Sequence, residues 1–165
     1  MKSLNEKILK FDLTQVIYYS MILILLRVDL IFIDNTPTGG DMGAHVVPIK
    51  YFIENFASSF KINGWSNDWF AGYPLYFFYF PFPAILTYLF NLIVPYGVAF
   101  KLMVAGSIVL VIYSIEKLFR KEDYLFSHIG IGAGLMFALT ESFTIYGGNL
   151  ASTLAGQFSF TYSLG

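Results

Sequence analysis

Long apolar blocks constrain this sequence more than any other feature. The 165-residue chain is 56% hydrophobic and only 13% charged, with a mean hydropathy of +0.63, whereas soluble domains carry about 25% charged residues. A helix needs roughly 20 apolar residues to cross a bilayer, because lipid offers no hydrogen-bond partner to an exposed peptide group. The sequence therefore predicts an all-α integral membrane protein, with the lipid bilayer as its first partner.

Four hydrophobic segments predict about four transmembrane helices in a single membrane domain over residues 1–165. The approximate ranges of these segments are 14–33, 76–95, 98–115 and 125–145. Lys2, Lys7 and Lys10 precede the first segment, which favours a cytoplasmic N-terminus. That orientation makes residues 34–75 a long outer loop.

The orientation of the later segments is open to two interpretations. Four simple crossings would place 116-EKLFRKED-123 outside, although its lysines and arginine favour the cytoplasmic side. Alternatively, the second segment, which contains Pro81 and Pro83, is a re-entrant hairpin. We adopt four crossings as the prediction and keep the hairpin as its alternative.

Ionisable residues inside the apolar segments are costly and suggest function. Arg27 and Asp29 lie two apart, on nearly opposite faces of a helix, so we predict that they do not pair with each other. Together with Glu141 they could line a transport path. The run 130-GIGAG-134 contains the G-x-x-x-G pattern that brings membrane helices close together, and it predicts tight packing of the fourth segment.

The outer loop has a helical pattern of its own. Residues 44–60 (AHVVPIKYFIENFASSF) place apolar side chains along one predicted helix face, at Val47, Phe52, Ile53, Phe56 and Phe60. This spacing predicts an amphipathic juxtamembrane helix on the membrane surface. The aromatic residues that follow, Trp65, Trp69 and Tyr73, suit an interfacial belt.

Several kinds of chemistry are excluded by composition. The chain has no cysteine, which excludes disulfides, thiolate metal sites and a cysteine nucleophile. Its two histidines, His45 and His128, are too few for a zinc site made of histidines alone. The net charge is −1 and no basic run is present, so nucleic acid is not an expected partner.

The loop opens with the richest chemistry of the chain, 36-TPTGGDMGAHVVPIK-50. Its glycines permit a tight turn and a close approach to a ligand. Asp41 could bind a divalent metal or act as a general base, or it could cap the following helix or face water. His45 lies one helical turn further and could be a second ligand or a proton carrier, or an ordinary interfacial histidine.

Two other places carry candidate binding residues. Asp68 lies between Trp65 and Trp69 and could contact a sugar that stacks on the aromatic faces, although a membrane belt needs no such ligand. Near the end of the sequence, Asn149, Ser152 and Gln157 stand among small residues in 147-GGNLASTLAGQFSF-160. They could line a polar cavity, or they could form a loop and the start of a helix.

Three stretches of the chain carry a family resemblance: 40-GDMGAH-45, 65-WSNDWFAGYPLYFFYFPFP-83 and 147-GGNLASTLAGQFSF-160. Together they resemble the membrane family labelled "6-pyruvoyl-tetrahydropterin synthase-related". That family is similar to the glycosyltransferases of the C superfamily, which use polyprenyl-phosphate-linked sugars. The resemblance covers about residues 36–165. The pterin chemistry in the label needs a zinc-binding histidine cluster, which the two histidines here do not supply.

The resemblance implies a fold, a reaction and a set of site residues. The chain would be the N-terminal portion of a longer polytopic enzyme of the cytoplasmic (inner) membrane, which transfers sugar from polyprenyl phosphate outside the cytoplasm. Asp41 would be the catalytic residue and the ligand of a divalent metal, Mg²⁺ or Mn²⁺. The substrate would be bound by the candidates His45, Trp65, Asp68, Trp69 and Gln157. Position 157 is often Glu in that family, which weakens an acid role for Gln157. A non-enzymatic membrane assembly or transport subunit is the alternative.

Overall fold

A computed structural model describes residues 13–68, 71–120, 124–140 and 147–165 of the chain. Trp69 and Glu141 lie outside the described residues, so the predictions made for them have no structural counterpart. The described residues are mostly helical. The helices are α1 Leu13–Leu25, α2 Val28–Ile31, α3 Met42–Asn55, α4 Phe82–Asn91, α5 Tyr96–Arg120, α6 Tyr124–Ala138, α7 Leu150–Ser152 and α8 Phe158–Leu164.

The fold departs from the all-α prediction in the outer loop. Strands β1 Gly64–Ser66 and β2 Tyr73–Leu75 pair antiparallel, with Gly64 opposite Leu75 and Ser66 opposite Tyr73. A 3₁₀ turn, Ala57–Ser59, connects α3 to this hairpin. The hairpin escapes a search for helical periodicity because each strand has only three residues.

Helix α5 is the longest helix among the described residues. Its stretch Tyr96–Phe119 has 24 residues and a mean hydropathy of 2.2, which is long and apolar enough to cross a membrane. Within the described ranges no other helix meets that standard. The remaining apolar helices are shorter and cover Gln15–Leu25, Phe82–Asn91 and Phe126–Ala138.

The predicted second segment, 76–95, is helical only in its second half. Helix α4 has ten residues, a length of about 15 Å at 1.5 Å per residue, against roughly 30 Å for the hydrocarbon core of a bilayer. Pro81 is its N-cap and Pro83 lies in its first turn, positions that tolerate proline because those backbone N–H groups have no intrahelical partner. The prolines therefore start a short helix here and keep the preceding aromatic run out of it.

The beginning of α5 lies beside the end of the first apolar segment. The backbone N–H of Gly97 donates to Asp34 Oδ1 at 3.1 Å. Lys101 Nζ donates to the carbonyl oxygen of Leu30 at 2.6 Å and to Asn35 Oδ1 at 2.8 Å. Lys101 thus satisfies backbone and side-chain acceptors where α2 ends.

The prediction that Arg27 and Asp29 do not pair is wrong. Arg27 Nε and Nη2 donate to the two carboxylate oxygens of Asp29 at 3.0 and 2.9 Å. The argument from helix faces assumed a continuous helix, but Arg27 has a left-handed backbone conformation (φ 51°, ψ 57°) and separates α1 from α2. That break turns both side chains to the same side, where both are exposed.

The predicted close packing of the fourth segment is confirmed. Helices α5 and α6 pack closely, and the two glycines of the G-x-x-x-G pattern lie at their contact. A Cβ atom on Gly130 would lie 2.9 Å from the Cα of Glu116, and one on Gly134 would lie 3.2 Å from the Cα of Ile112. Gly130 leaves no room for a side chain and Gly134 leaves little, so these two glycines allow the backbones to approach closely.

One carboxylate is buried at the same contact. Glu116 is 3% exposed. It accepts hydrogen bonds from Gln15 Nε2 at 2.9 Å, from Ser127 Oγ at 2.8 Å and from the hydroxyl of Tyr19. Donors from α1 and α6 thus meet on one acceptor of α5, which ties the three helices together.

The amphipathic helix of the outer loop is present, with a shifted apolar face. The prediction places this face on a membrane surface, but Phe52 and Phe56 are buried in the protein's own core, whereas Val47 is 39% exposed and Phe60 is 95% exposed. Helix α3 ends at Asn55, so a spacing that extends to Phe60 runs past the helical part. The buried face packs into a core with β2, α4, the first half of α5 and Phe158.

Candidate functional site

The loop before α3 packs against the turn between α7 and α8. The backbone N–H of Asp41 donates to the carbonyl oxygen of Ala155 at 2.7 Å. A Cβ atom on Gly40 would overlap that carbonyl group, and a Cβ on Gly156 would lie 3.0 Å from the Cβ of Asp41. Both glycines have positive φ, 50° and 116°. The two backbones touch because neither glycine carries a side chain.

The turn that receives this loop is a π-helical kink, Thr153–Gln157, with Gly156 at its non-helical position. Asn149 caps α7 by accepting a 2.7 Å hydrogen bond from the N–H of Ser152. The hydroxyls of Thr153 and Thr161 lie 2.7 Å apart and connect the kink to α8. Of the two interpretations left open, Asn149 and Ser152 therefore form a helix start rather than a cavity wall.

Asp41 occupies the N-cap position of α3 without capping it. Its side chain accepts no capping hydrogen bond, and the residue is exposed. Most N-cap aspartates use the carboxylate to accept from a backbone N–H of the first turn. The carboxylate of Asp41 is instead directed to the surface, which leaves it open to a ligand.

His45 lies one helical turn from Asp41 and is half-buried. Its ring centroid is 4.6 Å from that of Phe158, edge to face, and 5.7 Å from that of Tyr79. Burial lowers the pKa of His45 below its ordinary value, while the charge of Asp41 and a hydrogen bond to the Gly156 backbone act in the opposite direction. A neutral imidazole has one donor nitrogen and one acceptor nitrogen.

An apolar cavity begins at His45. It has a volume of about 470 Å³ and is enclosed by α3, β2, the aromatic loop after β2, and the starts of α4 and α8. This volume is in the range of small-molecule sites. The lining residues are Ala44, His45, Pro48, Ile49, Tyr73, Pro74, Leu75, Tyr76, Phe78, Tyr79, Phe80, Pro83, Ala84, Phe158 and Ser159.

One polar atom in this lining is unsatisfied. The hydroxyl oxygen of Ser159 is buried and has no hydrogen-bond partner among the described residues. Buried hydroxyls nearly always find a partner, so an orphaned one at a cavity wall indicates where a ligand or water would bind. Ser159 and His45 are therefore polar groups in a mainly apolar wall.

A second, shallower cavity of about 400 Å³ shares this wall. Phe78, Tyr79, Phe80 and Ser159 line both cavities, and Gln157 lines only the shallow one. Gln157 is also the last residue of the turn that receives Asp41. The structure thus brings together three of the predicted site residues, Asp41, His45 and Gln157.

Trp65 and Asp68 lie elsewhere, in and just after β1. The carbonyl oxygen of Trp65 accepts a hydrogen bond from the Tyr51 hydroxyl at 3.3 Å. The Asp68 N–H donates to Ser66 Oγ at 3.4 Å, and the Asp68 side chain is exposed. Neither Trp65 nor Asp68 lines either cavity.

The donor set for a divalent metal is small. Among the residues that the structure describes, no group of three His, Asp or Glu side chains could hold a metal ion. Asp41 and His45 supply one carboxylate and one imidazole. Mg²⁺ is often held by one or two carboxylates together with substrate phosphates and water. Asp41 is therefore compatible with a metal whose coordination is completed by a phosphorylated substrate.

Sequence reasoning missed Tyr79, Phe158 and Ser159 as site residues. The predicted second membrane segment, 76–95, includes Tyr79, although two prolines soon after it, Pro81 and Pro83, are the signal that the aromatic run is a loop.

Comparisons with protein-family models, with curated proteins and with solved structures gave no match. The resemblance to the lipid-linked sugar transferases stays a prediction.

Proposed function

We propose that this chain is part of a multi-pass membrane glycosyltransferase that takes its sugar from a polyprenyl-phosphate carrier at the outer surface of the cytoplasmic membrane. The observation that supports it best is the open carboxylate of Asp41, one helical turn from an apolar cavity of about 470 Å³. A lipid-linked sugar has a polar, charged head and an apolar chain. This site offers both environments side by side.

In the proposed reaction Asp41 is the general base. A hydroxyl of the acceptor attacks the anomeric carbon of the sugar, and its proton passes to the carboxylate of Asp41. The bond between the anomeric carbon and the phosphate oxygen breaks, and polyprenyl phosphate leaves with the bonding electron pair. Asp41 suits this role because its carboxylate is exposed and is not used to cap α3.

His45 and Ser159 would position the donor. A neutral imidazole and a hydroxyl can both donate hydrogen bonds to phosphate or sugar oxygens without adding charge to an apolar wall. The first isoprene units would contact the aromatic side chains of the cavity. In the other role predicted for Asp41, as a ligand of Mg²⁺ or Mn²⁺ instead of a base, the ion would supply positive charge against the phosphate. Trp65 and Asp68 are not assigned to this cavity, since neither lines it.

The test replaces Asp41 with Asn, which keeps the size of the side chain and removes its basicity. Sugar transfer from a labelled polyprenyl-phosphate donor is measured in membranes that contain the full-length protein. We expect a loss of about 100-fold or more, the usual effect of removing a general base. Glu54→Gln is the matched control, because Glu54 is an exposed acid of the same helix whose nearest basic group, Lys50 Nζ, is 3.9 Å away.

Undiminished transfer by the Asp41→Asn variant would overturn the catalytic role of Asp41. No transfer by the unmodified protein from any polyprenyl-phosphate sugar would favour the alternative, a non-enzymatic membrane assembly or transport subunit.

A further inference from the structure

The segment from Phe77 to Ile93 has an apolar surface that the described part of the chain leaves uncovered. Phe78 is 91% exposed, Phe77 54% and Leu89 50%. The sequence contains no charged residue between Asp68 and Lys101. Contiguous exposed apolar surface of this kind indicates contact with another apolar phase.

Both ends of this segment are attached to the outer loop. Before it, β2 pairs with β1, and the ring of Tyr76 packs edge to face on Phe52 of α3 with centroids 5.5 Å apart. After it, the Tyr96 hydroxyl donates to the carbonyl oxygen of Val46, and the N–H of Gly97 donates to Asp34. The segment therefore leaves the outer loop and returns to it.

The middle of the segment lies further along α5 than its ends. The ring of Phe82 packs on Tyr162 with centroids 5.3 Å apart, and the Tyr162 hydroxyl donates to the carbonyl oxygen of Met103 at 2.6 Å. Met103 is two helical turns beyond Tyr96, a distance of about 10 Å along the helix axis. One leaflet contributes roughly 15 Å of hydrocarbon. The segment is thus deep enough to enter one leaflet.

We propose that residues 77–93 do not cross the bilayer but form a re-entrant hairpin, in which the exposed apolar side chains from Phe77 to Leu89 contact the acyl chains of the outer leaflet and Ile93 lies where the chain returns to the outer surface. The uncharged sequence, the exposed side chains and the single-sided attachment all fit lipid as the partner. The proposal rests on the membrane location given under Proposed function, but not on sugar transfer.

A consequence for orientation follows. With the hairpin, α5 runs from the outer side inwards, and its C-terminal end lies in the cytoplasm. Lys117, Arg120 and Lys121 then agree with the positive-inside rule, which four simple crossings violate. The cavity next to Asp41 has the aromatic loop of the hairpin as one wall, so it lies at the boundary between the loop and lipid.

The 165 residues contain no cysteine, so a single cysteine introduced among them has no competing thiol within this sequence. Lys50→Cys marks the outer loop, Ile93→Cys the end of the hairpin, and Lys117→Cys the end of α5. Each variant is expressed in cell membranes and treated with a membrane-impermeant maleimide, before and after permeabilisation. We expect Lys50→Cys and Ile93→Cys to react in sealed cells and Lys117→Cys to react only after permeabilisation.

Four crossings predict the opposite result for two positions: Ile93→Cys protected and Lys117→Cys reactive in sealed cells. Labelling of Lys50→Cys and Ile93→Cys from different sides of the membrane would overturn the hairpin. Labelling of both from the same side supports the hairpin, even if the orientation of the whole chain were inverted. If Ile93→Cys fails to accumulate, Leu92→Cys replaces it. Extraction of the unmodified protein from membranes by carbonate would overturn the membrane location itself, an outcome distinct from a loss of transferase activity.

A Phe78→Cys variant tests the depth of the hairpin. The impermeant reagent should not label this thiol from either side, whereas a lipid-soluble maleimide should label it. Rapid labelling of Phe78→Cys by the impermeant reagent in sealed cells would show that the aromatic loop lies in water, and would overturn its insertion into the leaflet.

Discussion

Asp41 and Ala155 are joined backbone to backbone, the N–H of Asp41 donating to the carbonyl oxygen of Ala155 at 2.7 Å. This bond fixes the start of α3 against the kink between α7 and α8. It leaves the side chain of Asp41 at the surface and sets His45 against Phe158. The position of both side chains therefore depends on how closely the two backbones can approach.

Gly40→Ala should destabilise the protein by about 1–3 kcal/mol, through overlap with the Ala155 carbonyl and strain at positive φ. Gly43→Ala is the matched control: Gly43 lies in the first turn of α3 with nothing within 4 Å of an added Cβ, so this change should be neutral or stabilise by up to about 1 kcal/mol. Thermal unfolding in detergent measures both. Equal stability of the two variants would show that the contact does not constrain the loop.

Protonation of His45 should destabilise the fold. Its pKa is lowered by burial in the folded protein, so the unfolded chain, with a pKa near 6.5, binds more protons at mildly acidic pH. The stability that the protein gains from keeping His45 neutral is fully present above about pH 6.5. It is lost as the pH falls towards the lowered pKa of His45 in the folded state. Unfolding temperatures of the unmodified protein and of His45→Gln should therefore converge from about pH 7.5 to 5.5. A constant difference across that range would contradict the lowered pKa.

Ala44→Phe should reduce sugar transfer tenfold or more while leaving the protein folded. Ala44 is exposed and lines the apolar cavity, so a phenyl ring there fills space that the donor would occupy. Val47→Phe adds a comparable ring to the same helix at an exposed position outside the cavity, and should have little effect. Activity and unfolding temperature are measured for both variants. Equal activity of the two would show that the cavity is not used.

Glu116→Leu should destabilise the protein by about 3 kcal/mol, because one buried donor, Ser127, and two partly buried donors, Gln15 and Tyr19, lose their shared acceptor. Glu116→Gln keeps an acceptor oxygen and the size of the side chain, so it should cost clearly less. Unfolding in detergent is again the measurement, with Glu54→Leu as an exposed control expected to change stability by less than about 0.5 kcal/mol. A neutral Glu116→Leu would mean that the network does not hold α1, α5 and α6 together.

Features that depend on local pattern could be predicted from the sequence. The long apolar stretch predicted α5, and the periodicity of residues 44–60 predicted α3. Gly130 and Gly134 predicted the close contact of α5 and α6. Features that depend on a break in the pattern were predicted incorrectly. The left-handed Arg27 interrupts the first segment, and Pro81 and Pro83 delay the helix of the second.

Only one of the two segments that form the candidate site could be predicted from the sequence. The motif around Asp41 and His45 was identified, because glycines and polar residues stand out in an apolar sequence. Its contact with Ala155 and Gly156 was not, since no local rule relates two segments that are separated by the whole of α4, α5 and α6. The orphaned hydroxyl of Ser159 could not be predicted either, because a serine is unsatisfied only in relation to its surroundings.

The separation of the two glycine turns also sets an order of events during synthesis. Gly40 leaves the ribosome early, whereas Gly156 is made only after α5 and α6. The early turn must remain undocked until α5, α6 and the late turn have formed. A chain that stopped before Leu150 would keep its long apolar helix but could not complete the cavity wall. Residues 150–165 therefore complete the wall of the cavity that begins at His45.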